Sequence, residues 1–281
     1  MGRKLNSISR YFMKKIVISL LQKIFNLFPA RLKIFVSRLL IKNIENIFIF
    51  DTETISKLSN NLFSKIYNES SKDSGDAKFD TIYKRIKLIT AYEQLSLLLD
   101  TNIEGDIAEC GCWNGNSTIG FSKIINLTKT KDKTFYVFDS FEGLSDFSTE
   151  DKTKKVTLKE EEKLKEHFSA DFEKVKERLL PYKFVNIFKG WIPDIFQEAN
   201  IQDNKFAFVH IDVDLFEPTY ESVKYFFPKL SPGGVLICDD YGSEIFPGAT
   251  LAIDQFLNSI DDKEILSKTS GPAGGIIIIK K

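Results

Sequence analysis

The sequence predicts an α/β fold built on one seven-stranded, mostly parallel β-sheet. Short apolar runs alternate with helix-like stretches from residue 80 onward, and this alternation is typical of strands joined by helical crossovers. The runs are apolar at nearly every position, which indicates strands that helices cover on both faces. Only residues 270–274 separate the last two runs, and we expect these to form an antiparallel hairpin at one sheet edge.

The expected elements follow one another along the chain in a regular order. Apolar residues at helical spacing first predict a helix over residues 80–99. Strands are then expected at residues 107–112, 134–139, 184–189, 206–212, 235–238, 264–269 and 275–280. Further helices are expected at about residues 117–126, 159–180, 219–228 and 249–260.

Two polar segments divide the chain. Residues 68–77 are rich in serine and are expected to form a loop, so we predict a basic N-terminal helical region (1–75) and an α/β domain (76–281). Residues 145–183 form a long charged insertion between the second and third strands. We expect a solvated helix with charge pairs four residues apart, which could also act as a lid over the crevice mouth.

The N-terminal segment is strongly basic. Residues 1–44 contain ten Lys or Arg residues and no acid, and no apolar run there reaches the roughly 18 residues of a spanning helix. Two interpretations stay open: a helical cap whose apolar face packs on the domain or on a second subunit, or an amphipathic segment on an anionic membrane. We favour the first, and expect a cytoplasmic homo-oligomer; the second predicts peripheral contact with the inner membrane face.

The overall composition narrows the class of protein. The chain is 43% hydrophobic and 28% charged, with a formal net charge of zero. These values are ordinary for a soluble globular protein and give no electrostatic reason to expect a nucleic-acid partner. The three cysteines, Cys110, Cys112 and Cys238, lack zinc-site spacing and are expected to be buried thiols in a reducing cytoplasm.

Four aspartates follow two neighbouring expected strands. Asp212 and Asp214 come directly after one apolar run, and Asp239 and Asp240 come after the next. In open α/β sheets, residues just past the carboxyl ends of the strands line the ligand crevice. Carboxylates that meet there repel one another unless a cation lies between them. Because Mg²⁺ prefers such oxygen ligands, the sequence predicts a magnesium site.

The loop after the first strand has the composition of a ligand-binding turn. Gly111 and Gly115 permit a close approach of ligand to backbone, but neither a dinucleotide fingerprint nor a phosphate-binding loop is present. Glu109 would repel a pyrophosphate and suits a cationic ligand, such as an amino group or a sulfonium. Asp139, at the end of the second strand, is placed to bind a ribose diol, although aspartate is also a common turn former.

The motifs, in the order in which they follow one another along the chain, resemble those of the macrocin O-methyltransferase family. This family comprises class I, S-adenosylmethionine- and Mg²⁺-dependent sugar O-methyltransferases. The resemblance covers roughly residues 84–257 and is carried by the motifs at 105–115, 137–143, 189–191, 210–219 and 230–241. It implies a class I methyltransferase (Rossmann-like) fold and a small-molecule or glycan acceptor. It does not extend to the basic N-terminal region.

The resemblance also implies a role for each motif. The methionine part of the cofactor would lie beside Glu109, Gly111, Trp113, Asn114, Gly115, Asn116 and Ser117. The ribose would be bound by Asp139 with Ser140 and Phe141 beside it, and the adenine would lie against Gly190 and Trp191. Mg²⁺ would be held by Asp212, Asp239 and Asp240, and Asp214 could bind either the substrate or the metal.

The general base stays open at the level of sequence. The resemblance implies a histidine, and the chain contains only His167 and His210. His210 lies two residues before Asp212 and faces the same side of the strand, so we name His210 and Asp212 as catalytic candidates, although His210 could be a buried core residue. His167 lies in the charged insertion, from which a lid could deliver it.

Two other functions fit parts of the pattern. A catechol-type O-methyltransferase would use the same metal chemistry on an aromatic diol. A membrane-associated, non-catalytic protein with a methyltransferase fold would account for the basic N-terminal segment and for the unassigned base.

Overall fold

One seven-stranded sheet organises the computed structural model, which describes residues 62–101, 103–128 and 132–281. Its strands are β1 (Asp106–Cys110), β2 (Phe135–Asp139), β3 (Val185–Lys189), β4 (Phe206–Ile211), β5 (Leu230–Cys238), β6 (Ile265–Ser270) and β7 (Ile276–Lys280). They lie in the order β3-β2-β1-β4-β5-β7-β6. Strands β1 to β5 are parallel, and β7 runs antiparallel to both β5 and β6. The predicted parallel sheet with an antiparallel edge hairpin is confirmed.

Helices cover both faces of this sheet. The helices are α1 (Leu62–Asp73), α2 (Ile82–Leu99), α3 (Asn116–Leu127), α4 (Leu158–His167), α5 (Phe172–Leu179), α6 (Ile195–Glu198), α7 (Phe216–Phe226) and α8 (Pro247–Leu257). Helices α1, α2, α3 and α5 share one apolar core with the sheet, and α6, α7 and α8 share the other. Successive residues of β1 alternate between the two cores, Ile107 in the first and Ala108 in the second, which explains the uninterrupted apolar run.

The strand order reverses between β1 and β4, and this reversal opens a crevice at the carboxyl ends of the strands. Backbone bonds continue one residue beyond the strands there: Asp212 N donates to Cys110 O, and Asp239 N donates to Ile211 O, both at 2.8 Å. A Cβ at Gly111 would lie 1.8 Å from Asp212 O. Only glycine therefore allows the two strand ends to approach so closely.

The loop predicted over the serine-rich residues 68–77 is wrong for most of its length. Residues up to Asp73 belong to α1, which buries Ile66 and Tyr67 in the first core. The helix accommodates the buried Ser70 because the hydroxyl of this residue donates to a partner far along the chain, Asn116 Oδ1 (2.8 Å). Most of the expected N-terminal region lies outside the described residues, as does the whole basic segment of residues 1–44. Within the described ranges, no helix is long and apolar enough to cross a bilayer.

The single helix predicted over residues 159–180 is also wrong, since the structure divides it into α4 and α5. The interruption is held by the loop after β2: Ser169 forms an isolated antiparallel bridge with Glu142, and Ala170 N donates to Phe141 O (3.2 Å). Asp171 then begins α5 by accepting a bond from the backbone of Lys174. Strand β5 is longer than predicted, because it begins at Leu230 rather than at Val235.

Candidate active site

A cavity of about 410 Å³ lies at the carboxyl edge of the sheet. The loops after all five parallel strands reach it, together with α2 and the insertion. Among the predicted site residues, those that line the cavity are Gly111, Trp113, Asn116, Ser117, Asp139, Ser140, Gly190, Trp191, Asp212, Asp239 and Asp240. Asp214 also lines it, whereas the predicted residues placed elsewhere are Glu109, Asn114, Gly115, Phe141 and His210.

Three carboxylates converge at one side of this cavity. Asp212, Asp239 and Asp240 each offer an oxygen, and these three atoms lie within 4.8 Å of one another. Asp214 belongs to the same group of acids, and its backbone N–H donates to Asp240 Oδ2 (3.2 Å). The prediction that aspartates from two neighbouring strands meet therefore agrees with their positions.

The electrostatics of the cluster are unfavourable without a counter-charge. Burial and the neighbouring Asp239 and Asp240 raise the pKa of Asp212 well above its usual value. Burial would likewise raise the pKa of Asp239, but His210 and Lys87 outweigh it and lower that pKa. The cluster thus depends on cations around it.

One of those cations, Lys87, was not predicted from the sequence. Its Nζ lies 3.1 Å from Asp239 Oδ2 and 3.9 Å from Asp240 Oδ1. Burial lowers its pKa, but the surrounding carboxylates reverse that effect and raise it. A lysine within α2, about twenty residues before β1, carries no motif that could have identified it.

A buried chain of charged groups supports the cluster from beneath. Glu109 and His210 are fully buried, and Glu109 Oε1 lies 3.1 Å from His210 Nδ1. Glu109 Oε2 accepts a bond from Thr118 (2.5 Å), and His210 Nε2 lies 3.9 Å from Asp239 Oδ1. Burial lowers the pKa of His210, but the nearby Asp239 and Glu109 carboxylates outweigh it and raise the pKa to about 10. His210 is therefore an imidazolium ion at neutral pH.

Asp139 ties the first two loops of the crevice together. Its Oδ2 accepts backbone bonds from Cys112 (2.7 Å) and Trp113 (2.8 Å), and its Oδ1 accepts one from Phe141 (2.6 Å). Burial nevertheless raises the pKa of the carboxyl above its usual value. Gly190 N donates to Asp139 O (2.9 Å), so the third loop is held to the same residue.

Backbone strain concentrates at this edge of the sheet. Trp113, Phe141 and Asp214 have positive φ angles of 46°, 59° and 60°, a conformation that costs about 1–3 kcal/mol in a residue with a side chain. They follow β1, β2 and β4 respectively. Such strain is typical of loops whose geometry serves a site rather than stability.

Helix α1 contributes to the cavity, which the sequence did not predict. Ser70 Oγ donates to Asn116 Oδ1 (2.8 Å). Asn116 is 3% exposed and lines the cavity, and its Nδ2 has no hydrogen-bond partner in the described part of the chain. Asp76, three residues beyond α1, also lines the cavity and accepts bonds from Asn114 (3.0 Å) and Lys84 (3.2 Å).

The charged insertion supplies an aromatic wall. His167 and Phe168 line the cavity, and their ring centroids lie 5.3 Å and 5.6 Å from that of Trp113. Phe79 completes the wall, with a centroid 5.2 Å from that of Trp113. Trp113 Nε1 also donates to Ser169 O (3.3 Å), which joins the insertion to the loop after β1. The expectation that this wall opens and closes as a lid stays a prediction.

Comparison with known proteins gives related sequences across most of the chain. The family model described as macrocin-O-methyltransferase (TylF) matches residues 42–269. The demethyldecarbamoylnovobiocin O-methyltransferase of Streptomyces niveus is 28% identical over 175 residues, which are 58% of this chain and 62% of that protein. The mycinamicin III 3''-O-methyltransferase of Micromonospora griseorubida is 27% identical over 152 residues, 51% of this chain and 58% of its own length. The chain thus spans about three fifths of these curated relatives.

Solved structures share the architecture. The O-methyltransferase NovP superposes with a TM-score of 0.58 at 25% identity, covering 69% of this chain and 80% of that one. The calicheamicin methyltransferase CalS11 has the same TM-score at 16% identity, covering 90% and 94% respectively, and shows the shared fold alone. Since the family model accounts for most of the residues, the chain belongs to the macrocin O-methyltransferase family.

Proposed function

We propose that this protein is an S-adenosylmethionine- and Mg²⁺-dependent O-methyltransferase that methylates a sugar hydroxyl of a polysaccharide or secondary metabolite. The observation that carries the proposal is the meeting of Asp212, Asp239 and Asp240 in the cavity that Asp139 and Trp191 also line. Family membership supports it, as do curated relatives named for methyl transfer to mycinamicin III and to a rhamnosyl-tetracenomycin.

The acidic cluster fits a hard dication. All three groups are carboxylates within 4.8 Å of one another, and oxygen ligands of this kind suit Mg²⁺. A bound Mg²⁺ would lower the pKa of an acceptor hydroxyl, which is a poor nucleophile at neutral pH. In this chain Asp212, Asp239 and Asp240 would hold the ion, and the His210 imidazolium beneath would orient Asp239.

The rest of the cavity fits the cofactor. S-adenosylmethionine supplies an electrophilic methyl group on a sulfonium. The unpartnered Asn116 Nδ2 is a donor suited to the carboxylate of the methionine part. Asp139 lines the cavity with both of its oxygens accepting backbone bonds, and can also accept bonds from ribose hydroxyls. Trp191, 41% exposed, offers a face for the adenine.

Asp212 lines the cavity and is the candidate for the group that removes the acceptor's proton. His210 is already protonated at neutral pH and is fully buried, so we assign it a positioning role. His167 lines the cavity and stays the alternative base.

Titration calorimetry tests this function directly. We expect S-adenosylmethionine to bind the full chain with and without EDTA, and Asp239→Ala to lose Mg²⁺ binding and at least about 100-fold of methyl transfer. Asp203→Ala, an exposed acid outside the cavity, should behave as wild type. Absence of cofactor binding would overturn the function, and unchanged transfer in Asp239→Ala would overturn the metal role. Sugar and catechol acceptors assayed together distinguish the two acceptor classes.

The remaining expectations concern the whole protein and stay proposals. We propose a cytoplasmic homo-oligomer in which the basic N-terminal segment packs on the domain or on a second subunit. The three buried, free cysteines agree with a reducing compartment. Flotation with anionic liposomes, comparing the full chain with a chain that begins at Thr52 and so keeps α1, tests peripheral membrane contact. Light scattering tests the oligomer.

A further inference from the structure

A lysine side chain lies among the carboxylates to which the metal is assigned. We propose that Lys87 is a resident counter-cation of the acidic cluster, which a divalent cation must displace in order to bind. The inference rests on the metal site of the proposed function. It concerns the competition between two cations for the same oxygens.

The contacts of Lys87 are with two of the three proposed ligands. Its Nζ lies 3.1 Å from Asp239 Oδ2 and 3.9 Å from Asp240 Oδ1. The side chain is only 19% exposed, and those of Asp239 and Asp240 are 13% and 11% exposed. The ammonium is therefore in largely dehydrated contact with the cluster rather than at its rim.

The approach of the side chain is shaped by the turn between β6 and β7. A Cβ at Gly274 would lie 3.7 Å from Lys87 Cε, so the lysine stem runs directly past this glycine. Gly275 N donates to Tyr241 O (2.8 Å), which joins the turn to the segment that carries Asp239 and Asp240. The stem thus lies beside a turn that is bonded to the segment carrying two of the proposed ligands.

An ammonium and a dication cannot share these oxygens without a cost. Both would lie within a few ångströms of Asp239, and repulsion between like charges is strong where water is largely excluded. Lysine carries its charge as a compact point on a flexible stem, and Lys87 lines the open cavity. The ammonium can therefore move out of the acidic cluster. Binding of the metal and displacement of the lysine then occur in one step.

Lys84 provides a matched control. It lies one helical turn earlier on α2, lines the same cavity and also pairs with an aspartate. Its partner is Asp76, at 3.2 Å, which is not a member of the cluster. Removing the Lys84 charge changes the cavity without removing a cation from the proposed ligands.

The experiment compares full-length wild type, Lys87→Met, Lys87→Arg and Lys84→Met. We expect calorimetry to show Mg²⁺ binding at least about tenfold tighter in Lys87→Met, and close to wild type in the charge-retaining Lys87→Arg and in Lys84→Met. Without its counter-cation, metal-free Lys87→Met should melt below wild type in EDTA. Saturating Mg²⁺ should remove or reverse that difference.

The outcomes separate this inference from the proposed function. If wild type binds Mg²⁺ and Lys87→Met binds it equally tightly or more weakly, the inference is overturned and the metal site stands. Binding in Lys87→Met alone supports the inference in its strongest form. Absence of Mg²⁺ binding in every variant overturns both, while methyl transfer from S-adenosylmethionine remains a separate measurement.

Discussion

At the scale of single residues, the site is a balance of buried charges. The four aspartates stand in the sequence beside predicted strands, but their cations, Lys87 and His210, become visible as partners only in the fold. His210 is held as an imidazolium by Glu109 on one side and Asp239 on the other. Its protonation should therefore be linked to stability.

The stability of the metal-free protein should decrease at alkaline pH. The pKa of His210 is raised to about 10 in the folded protein, above about 6.5 in an unfolded chain. The stabilisation is therefore complete below about pH 6.5 and is lost as the pH rises through about 10. We expect melting temperatures in EDTA to fall over this window, and to fall less steeply in Glu109→Gln.

Thr118→Val provides the control for that measurement. It removes the hydrogen bond to Glu109 Oε2 but keeps the carboxylate beside His210. Its pH dependence should follow that of wild type, with a uniform loss of stability. If the melting temperature falls equally steeply with pH in wild type and in Glu109→Gln, the Glu109 carboxylate does not raise the pKa of His210.

At the scale of elements, α1 belongs both to the first core and to the support of the cavity. Ser70 lies on its buried face and orients Asn116 at the start of α3. The same helix packs Ile66 and Tyr67 into the first core. Different residues of the same helix therefore pack the core and support the cavity.

Ser70→Ala should weaken cofactor binding more than it weakens the fold. The lost bond is worth about 1 kcal/mol, and Asn116 is then free to turn away from the cavity. We expect about threefold to tenfold weaker S-adenosylmethionine binding by calorimetry. Ser71→Ala, the neighbouring buried residue whose hydroxyl has no partner among the described residues, should bind as wild type. Equal effects of the two substitutions would contradict the role of Ser70.

At the scale of the whole molecule, the Asp151 carboxylate joins the insertion to α7 and α8, two helices of the second core. Asp151 is 1% exposed, and its Oδ1 accepts a bond from Phe216 N (2.8 Å) at the start of α7. Its Oδ2 accepts two bonds from Ser148, at 2.9 Å and 2.7 Å. A Cβ at Gly248 would lie 1.8 Å from Asp151 Oδ1, so α8 approaches the same atom.

Asp151→Ala should loosen the insertion. Unsatisfied buried donors cost about 1–3 kcal/mol each, and the aromatic wall of the cavity belongs to the same insertion. We expect a lower melting temperature and faster limited proteolysis within residues 145–171. Asp146→Ala, whose side chain is 99% exposed and paired with Lys165, should change neither. Unchanged proteolysis in Asp151→Ala would contradict this role.

The sequence by itself determined the architecture of the sheet and the meeting of the aspartates at one of its edges. A strand that is apolar at every position can bury all of its side chains only between two helical layers. Residues that follow parallel strands must meet at one edge of the sheet. Those local patterns sufficed to predict the sheet, its edge hairpin and the convergence of Asp212 with Asp239 and Asp240.

Tertiary structure alone decided which distant groups complete that site. Residues 68–73 are helical and the insertion is broken after His167, because partners far along the chain, Asn116 and Phe141, satisfy their polar groups. Lys87, Ser70 and Asp76 likewise belong to no local pattern; their positions follow from how α1 and α2 pack across the sheet. The charge balance depends on distances between such residues, and composition and spacing do not contain those distances.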